Sequence, residues 1–268
     1  MSHALPIVDE LSNARSKLDR GPLSSRTLRA VAAMRSTSTQ ERVVDAAVNY
    51  LSSLVVAGSD RANVRFCEVS TVEDWRLVRE LRLRCYPKAL PYLVSVLEPD
   101  GSDRHDRHSF VYAAFLGDRA VATVRATIYP YESLDHLSED DLHNFLGHGW
   151  KTDFVEWGRL LVDSAYAKMR LTPALITYAG LRLLTLTHYR SYFGYTKPHV
   201  RAMISRFAIE NDTFRFKIPS RGDHDYLMTK GTLSTAAMRE IPRWLKRISD
   251  KVARPSAYVA PAPRAMAL

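Results

Sequence analysis

Only two cysteines, Cys67 and Cys85, occur in the 268 residues. Two thiols cannot build a disulfide framework, and their scarcity fits a reducing compartment. No apolar run reaches the roughly 20 residues that a membrane-spanning helix needs. The most apolar windows, Val43–Gly58 and Ala174–Tyr189, both carry polar or charged residues. The opening MSHALPIVDELSN has no basic stretch followed by an apolar one, so it does not read as a secretory signal. These absences point to the cytoplasm and to no integral membrane segment; they leave peripheral membrane contact open. No zinc-finger or basic-zipper pattern is present, and no aromatics interleave with basic residues, which argues against nucleic acid as a partner. Glycine is missing from Tyr166–Pro173, just before a long apolar segment. A glycine-rich turn cradling a pyrophosphate on backbone N–H groups is therefore excluded there.

What is present is ordinary globular material: 46% hydrophobic and 25% charged residues. That suffices for a sizeable core. The net charge of +9 favours acidic partners, or serves solubility alone. Residues 1–60 read as a helical and flexible extension, 61–252 as the main domain, and the Pro- and Ala-rich 253–268 as a disordered tail. Within the extension, Leu23–Met34 could form a short helix. Ser38-Thr-Gln-Glu41 fits a capping box, and Val43, Val44, Ala47, Val48, Leu51 and Leu54 follow at helical spacing up to Gly58.

In the main domain the element types alternate. Val64–Val69 reads as a strand, and Ser70-Thr-Val-Glu73 caps a helix running to about Cys85. Ser109–Leu116 and Ala120–Ile128 are strands around the hairpin signal Gly117-Asp118. Ser138–Leu146 is a short helix, Phe154–Val162 a strand, and Pro173–Tyr189 a long apolar helix with proline at its start. A strand Tyr192–Thr196, a helix Pro198–Ile209, strands Phe214–Ile218 and Asp225–Lys230 and a helix Ser234–Val252 complete the series. The hairpin makes the early sheet antiparallel, and the later helical crossover requires parallel neighbours. The fold class is α/β, with a mixed central sheet flanked by helices.

The oddest residue is Arg125, in the otherwise apolar strand AVATVRATIY. A charge in a half-buried strand is costly unless it is paired or faces water. The strand FVEWGRLLV brings Glu156 and Arg159. Simple alternation puts those two on opposite faces. A bulge would bring them together, and Gly158 is where one costs little. The loop Glu98-Pro-Asp100-Gly-Ser-Asp103 concentrates three carboxylates. It is either a solvated acidic turn or a set of partners for buried arginines. His105-Asp-Arg-His108 has an i, i+3 pair of histidines but no evident third ligand, so no metal is expected. Neither cysteine reads as a nucleophile.

The ordered set Arg82-Leu-Arg-Cys-Tyr86, Glu98-x-Asp100-x-x-Asp103, Arg125 and Glu156-x-x-Arg159 resembles the acyl-homoserine-lactone synthases over roughly residues 62–230. Glu156-Trp-Gly-Arg-Leu-Leu-Val-Asp163 is also similar to the N-acyl amino acid synthases. Both groups are N-acyltransferases with the GNAT fold, a mixed and splayed sheet between helices. The resemblance implies a fatty acyl group moved from acyl carrier protein to an amine. It makes Glu156 the base, or the group that orders a water acting as base. Arg125, Arg159, Asp100 and Asp103, with Glu98 in the same loop, become an ion-pair network, and Arg82 and Tyr86 line the acceptor side. Tyr92 stands where the lactone synthases usually carry tryptophan, and residues 1–60 have no counterpart. The acceptor thus stays open between S-adenosylmethionine and a free amino acid.

The chemistry expected is attack of a neutral amine on a thioester carbonyl. A backbone N–H near Leu160, Leu161 and Val162 would hold the oxyanion. No permanently bound cofactor is implied. The donor is acyl-phosphopantetheine on the carrier protein, or acyl-CoA, with Lys168 and Arg170 as point charges for phosphate. Leu175, Ile176, Leu181, Leu183, Leu184 and Leu186 could wall an acyl tunnel, or simply be core. Two further readings compete. One is an acetyl-CoA-dependent acetyltransferase, against which the missing glycine turn counts. The other is a non-catalytic basic binding domain.

Overall fold

The computed structural model describes residues 39–58, 63–198, 200 and 213–238. The chain divides into two compact units, Met1–Arg42 and Val43–Leu268, and the sheet lies in the second. That unit begins at Val43. Helix α1 spans Thr39–Ser53. Its Val48 is buried with Val55 and Val56 in the same core as strand residue Phe66. The helix stops at Ser53, short of Gly58, whose φ of +99° lies beyond the turn. The expected helix at 23–34, most of those at 198–209 and 234–252, and the tail lie outside the described residues.

Seven strands form one sheet in the order β1-β2-β3-β4-β5-β7-β6. They are β1 Val64–Glu68, β2 Ser109–Leu116, β3 Arg119–Thr127, β4 Phe154–Val162, β5 Ser191–Thr196, β6 Thr213–Lys217 and β7 Asp225–Thr232. Every pair is antiparallel except β4 and β5. That parallel pair needs a crossover, and helix α4, Leu171–Leu186, provides it. β1 is a sheet edge. The Asn49 side chain of α1 covers it, donating to the Phe66 carbonyl and accepting from the Phe66 amide at 3.3 Å. Those backbone groups would otherwise stay unpaired.

Helix α2, Val72–Ala89, is capped by Thr71, whose hydroxyl accepts from the Asp74 amide at 3.0 Å. The cap sits one residue later than the Ser70-to-Glu73 pattern suggested. Arg65 on β1 is 3.2 Å from the Asp74 carboxylate and favours that register. The helix also runs four residues past Cys85, with Pro87 inside it. Short helices α3, Glu139–Leu146, and α5, Leu233–Met238, complete the described elements. Ser138 caps α3 in a reciprocal box with Asp141.

The sheet separates two cores by strand alternation. On β2, Tyr112 and Ala114 pack with α1 and α4, including Tyr178 and Leu175. Val111, Ala113 and Phe115 turn the other way, onto Val78 and Leu81 of α2. A third cluster, with Tyr131, Leu142, Phe193 and Met228, fills the α3 end. Leu175 and Leu183 are fully buried in the first core; of the leucines and isoleucine offered as tunnel wall, only Ile176 lines the cleft between the strands.

β4 and β5 stay together only from Phe154–Ser191 to Glu156–Phe193. β4 then continues to Val162 and β5 to Thr196 without pairing to each other, so the sheet splays open there.

Candidate active site

The splay opens a cleft of about 700 Å³. It is lined from the α4 face by Arg170, Thr172 and Ile176 and from the α2 face by Leu90, Tyr92 and Leu93. One cavity thus reaches both faces of the sheet.

A bulge shapes its wall. Thr123 pairs with Leu161 but Arg125 pairs with Gly158, so two steps on β3 oppose three on β4. The left-handed residue is Arg159, with φ of +54°, and not the neighbouring glycine. A side chain in that region costs on the order of 1–3 kcal/mol. Its guanidinium offsets this with ion pairs at 2.7 Å to Asp103 and 2.9 Å to Glu132. The bulge lets Glu156 and Arg159 line the same cleft.

Beside the cleft lies a buried ionic cluster. Arg125, fully buried, meets Asp103 at 2.8 Å and also Glu132. Asp103 caps the turn Arg104–His108, and the Asp106 side chain accepts from the Asp103 amide to close a capping box. Asp106 in turn takes both terminal nitrogens of Arg82, at 2.6 and 2.9 Å. Glu132 further accepts from Arg221 at 3.2 Å and from the Tyr195 hydroxyl at 3.3 Å. Burial alone would raise the Asp103 carboxyl, but the Arg159 and Arg125 guanidiniums outweigh it and hold the group well below the carboxylate range. The same contest, won by Arg159 and Arg125, lowers Glu132. Burial pushes the Tyr195 hydroxyl far up, aided by Glu132, so it stays a donor.

Glu156 differs. It is 2% exposed, and no ion pair reaches it among the described residues. Both its oxygens accept from the Ser133 amide at 3.1 Å. Burial, then the charge of Glu132, raises its pKa to about 8. At neutral pH it is mostly protonated. The four arginines 82, 125, 159 and 221 then face three charged carboxylates, Asp103, Asp106 and Glu132. Ionised Glu156 supplies the fourth.

The structure brings Arg82, Asp103, Arg125 and Arg159 together. Tyr86, fully buried on the same helix as Arg82, sits in the field of Arg82 and Arg159. Glu98 and Asp100 do not join them. Glu98 is exposed, and Asp100 pairs at 2.8 Å with Arg79 at the surface. The Pro-Asp-Gly turn carries them outward, whereas Asp103 begins the next helical turn facing in. Leu160 and Val162 line the cleft; Leu161, of opposite parity, is buried in the α2-side core. Arg170 lines the cleft with φ of +58°, and Lys168 is exposed away from it. Sequence reasoning missed Asp106, Glu132, Tyr195 and Arg221. Asp106 lay within the His-Asp-Arg-His run, read only for its histidines. His105 instead approaches Asp135 at 3.1 Å and His108 at 3.4 Å, and no metal-holding group of three is found among the described residues.

No protein-family model and no curated protein sequence matches the chain. Solved structures do. One is the CoA-dependent acyl-homoserine lactone synthase BjaI with MTA, 14% identical, covering 71% of this chain and 89% of that one at a TM-score of 0.52. Another is the same synthase with SAM and isopentyl-CoA, 16% identical with the same coverage at 0.50. At such identities the likeness establishes the fold: this chain has the GNAT-like mixed, splayed sheet seen in an acyl-homoserine lactone synthase.

Proposed function

We propose that the protein is an N-acyltransferase that moves a fatty acyl group from the thioester of acyl carrier protein to the amine of an amino acid or amino-acid-like acceptor. The product is an N-acyl amino acid or an acyl-homoserine lactone. One observation carries this reading. A single cleft passes through the parted strands β4 and β5, with a carboxyl of pKa about 8 on its wall. Two substrates can enter from opposite faces and meet beside a proton acceptor.

Ionised Glu156 takes a proton from the amine as nitrogen attacks the thioester carbonyl. The carbon–sulfur bond breaks and the thiolate leaves, taking the proton from Glu156 to become the free thiol and returning Glu156 to its ionised form. A carboxyl raised towards neutral pH takes the amine proton more readily than an ordinary carboxylate does, which favours it as a general base. The oxyanion falls to backbone N–H groups around Leu160–Val162, on the part of β4 that β5 has left. Arg125, Arg159 and Asp103, with Glu132, hold that wall rigid. Arg82 and Tyr86 back the acceptor side.

For the donor, Arg170 at the start of α4 can meet one phosphate. Pro173 removes one N–H from that helix start, and no glycine allows a closer approach. A single carrier-borne phosphate suits this better than a pyrophosphate, and an acidic carrier suits the net charge of +9. An acyl-CoA donor is the second reading, favoured by the CoA-dependence named for the solved synthase. S-adenosylmethionine, bound in that synthase, joins the free amino acids as a candidate acceptor. No described helix is long and apolar enough to cross a membrane, and we place the reaction in the cytoplasm.

The test is thiol release. The protein is incubated with acyl carrier protein thioesters and acyl-CoAs of several chain lengths, with mixed amino acids or S-adenosylmethionine. Carrier-dependent release with a lipid product supports the proposal. Release from acetyl-CoA alone replaces it with the acetyltransferase reading, and no release refutes an acyltransferase.

A further inference from the structure

The cleft is unbalanced in charge. Four cations line it, Arg159, Arg170, Lys197 and Arg221, against two carboxyls, Glu132 and Glu156. Arg159 and Arg221 are both committed to Glu132. Lys197 has no carboxylate within salt-bridge distance among the described residues. Its ammonium lies 5.0 Å from the centre of the Tyr92 ring, and the Arg221 guanidinium lies 5.5 Å from the same ring. A half-buried ammonium whose partner among the described residues is an aromatic ring is favourably placed to receive an anion.

Which anion follows from the faces of the sheet. Tyr92 packs on the α2-side core, so Lys197 and Arg221 flank the cleft from that face. Arg170 stands at the start of α4, whose residues pack on the opposite face. The two walls therefore offer separate positive positions, one for each substrate. We infer that Lys197, with Arg221 behind it, holds the carboxylate of the acceptor and so selects α-amino acids over simple amines. This rests on the acyltransferase reading above, and it names the residue that chooses the acceptor. Holding the carboxylate across the Tyr92 ring would also fix the α-amine relative to Glu156, because both groups line one cavity.

The experiment pairs amino acids with their decarboxylated amines, such as tyrosine with tyramine. It measures thiol release from the acyl-carrier thioester and from an acyl-N-acetylcysteamine thioester, which has no phosphate. The wild type should prefer the amino acid by about 10- to 100-fold in kcat/KM, the range of one charge-assisted hydrogen bond. K197M should erase that preference through the acceptor KM, with the donor KM unchanged, and K197R should restore most of it. A wild type indifferent to the carboxylate overturns the inference, as does a preference that survives K197M. A K197M defect seen with the carrier thioester and absent with the phosphate-free donor reassigns Lys197 to the donor phosphate and overturns it too. In all of these outcomes acyl transfer itself persists. Absence of thiol release from every donor and acceptor is the separate result that removes the acyltransferase reading, and this inference with it.

Discussion

Glu132 and Glu156 face one cleft and are almost equally buried, at 4% and 2% exposure. One is driven down in pKa and the other up to about 8. Desolvation raises both, so depth does not explain the contrast. Glu132 has three guanidiniums and a phenol around it, whereas Glu156 has the backbone amides of Ser133 and Glu132, no guanidinium in ion-pair contact among the described residues, and the Glu132 carboxylate as a repelling neighbour. Partners decide the sign. The region that binds its charges is scaffold, and the region that leaves one carboxyl unpaired can move a proton.

The sharpest way to break that contrast is at Glu156. E156Q keeps the shape and the acceptor oxygen for the Ser133 amide but cannot take a proton. Acyl transfer should fall by about 10²- to 10⁴-fold, with the fold intact by circular dichroism. A fully active E156Q ends the assignment of Glu156 as base. The next largest effect is expected at Glu132. E132Q takes from buried Arg125 one of its three carboxylates and leaves Arg221 without its carboxylate. Loss of one partner from a buried ion pair costs about 3–5 kcal/mol, readable as a lower urea midpoint at unchanged m-value. The same change removes the charge that repels the Glu156 carboxylate, so the midpoint of the rate–pH profile should drop below that of the wild type.

The contrast also has a pH signature. Glu156 titrates near 8 in the folded chain and near 4.5 when unfolded. Its folded pKa is raised. The stability tied to its neutral form is therefore complete below pH 4.5 and is lost as pH rises to about 8. Measured against E156Q, the wild type should lose a few kcal/mol across that window and then level off. Activity should run the opposite way, rising with the ionised fraction through pH 8 and levelling only above it. A stability difference that is flat between pH 5 and 8 would show that Glu156 is already ionised in the folded protein.

How much of this was legible in the sequence depends on what each residue needed. The strands and the hairpin were readable because alternation and Gly117-Asp118 are local signals; β4 came out at Phe154–Val162 as expected. Arg125, Glu156 and Arg159 stood out because charge in an apolar strand is costly. The bulge could be anticipated, but its left-handed residue proved to be Arg159, since two ion pairs outweigh the strain that Gly158 would have avoided. Glu132 and Arg221 had no such contrast. They sit in polar turns, where an acid or a base is unremarkable, and only the sheet brings residues 125, 132, 159 and 221 together. The acidic loop divided for the same reason: three carboxylates share one composition, and the turn geometry sends Glu98 and Asp100 out and Asp103 in.

That division gives the smallest effect and the control for the others. Asp100 and Arg79 make an ion pair at 2.8 Å, close to the lengths found in the buried cluster, but their side chains are 53% and 37% exposed. Water already solvates both groups, so the pair gains little from its geometry. D100N should leave the urea midpoint almost unchanged, with what shift there is shrinking in high salt because exposed charges are screened, and acyl transfer should be unaffected. D103N, in the same loop but nearly fully buried, should cost several times more, because it leaves Arg125 and Arg159 facing a neutral amide. Equal losses for the two variants would mean that the loop acts as one unit and that burial is not what separates its carboxylates.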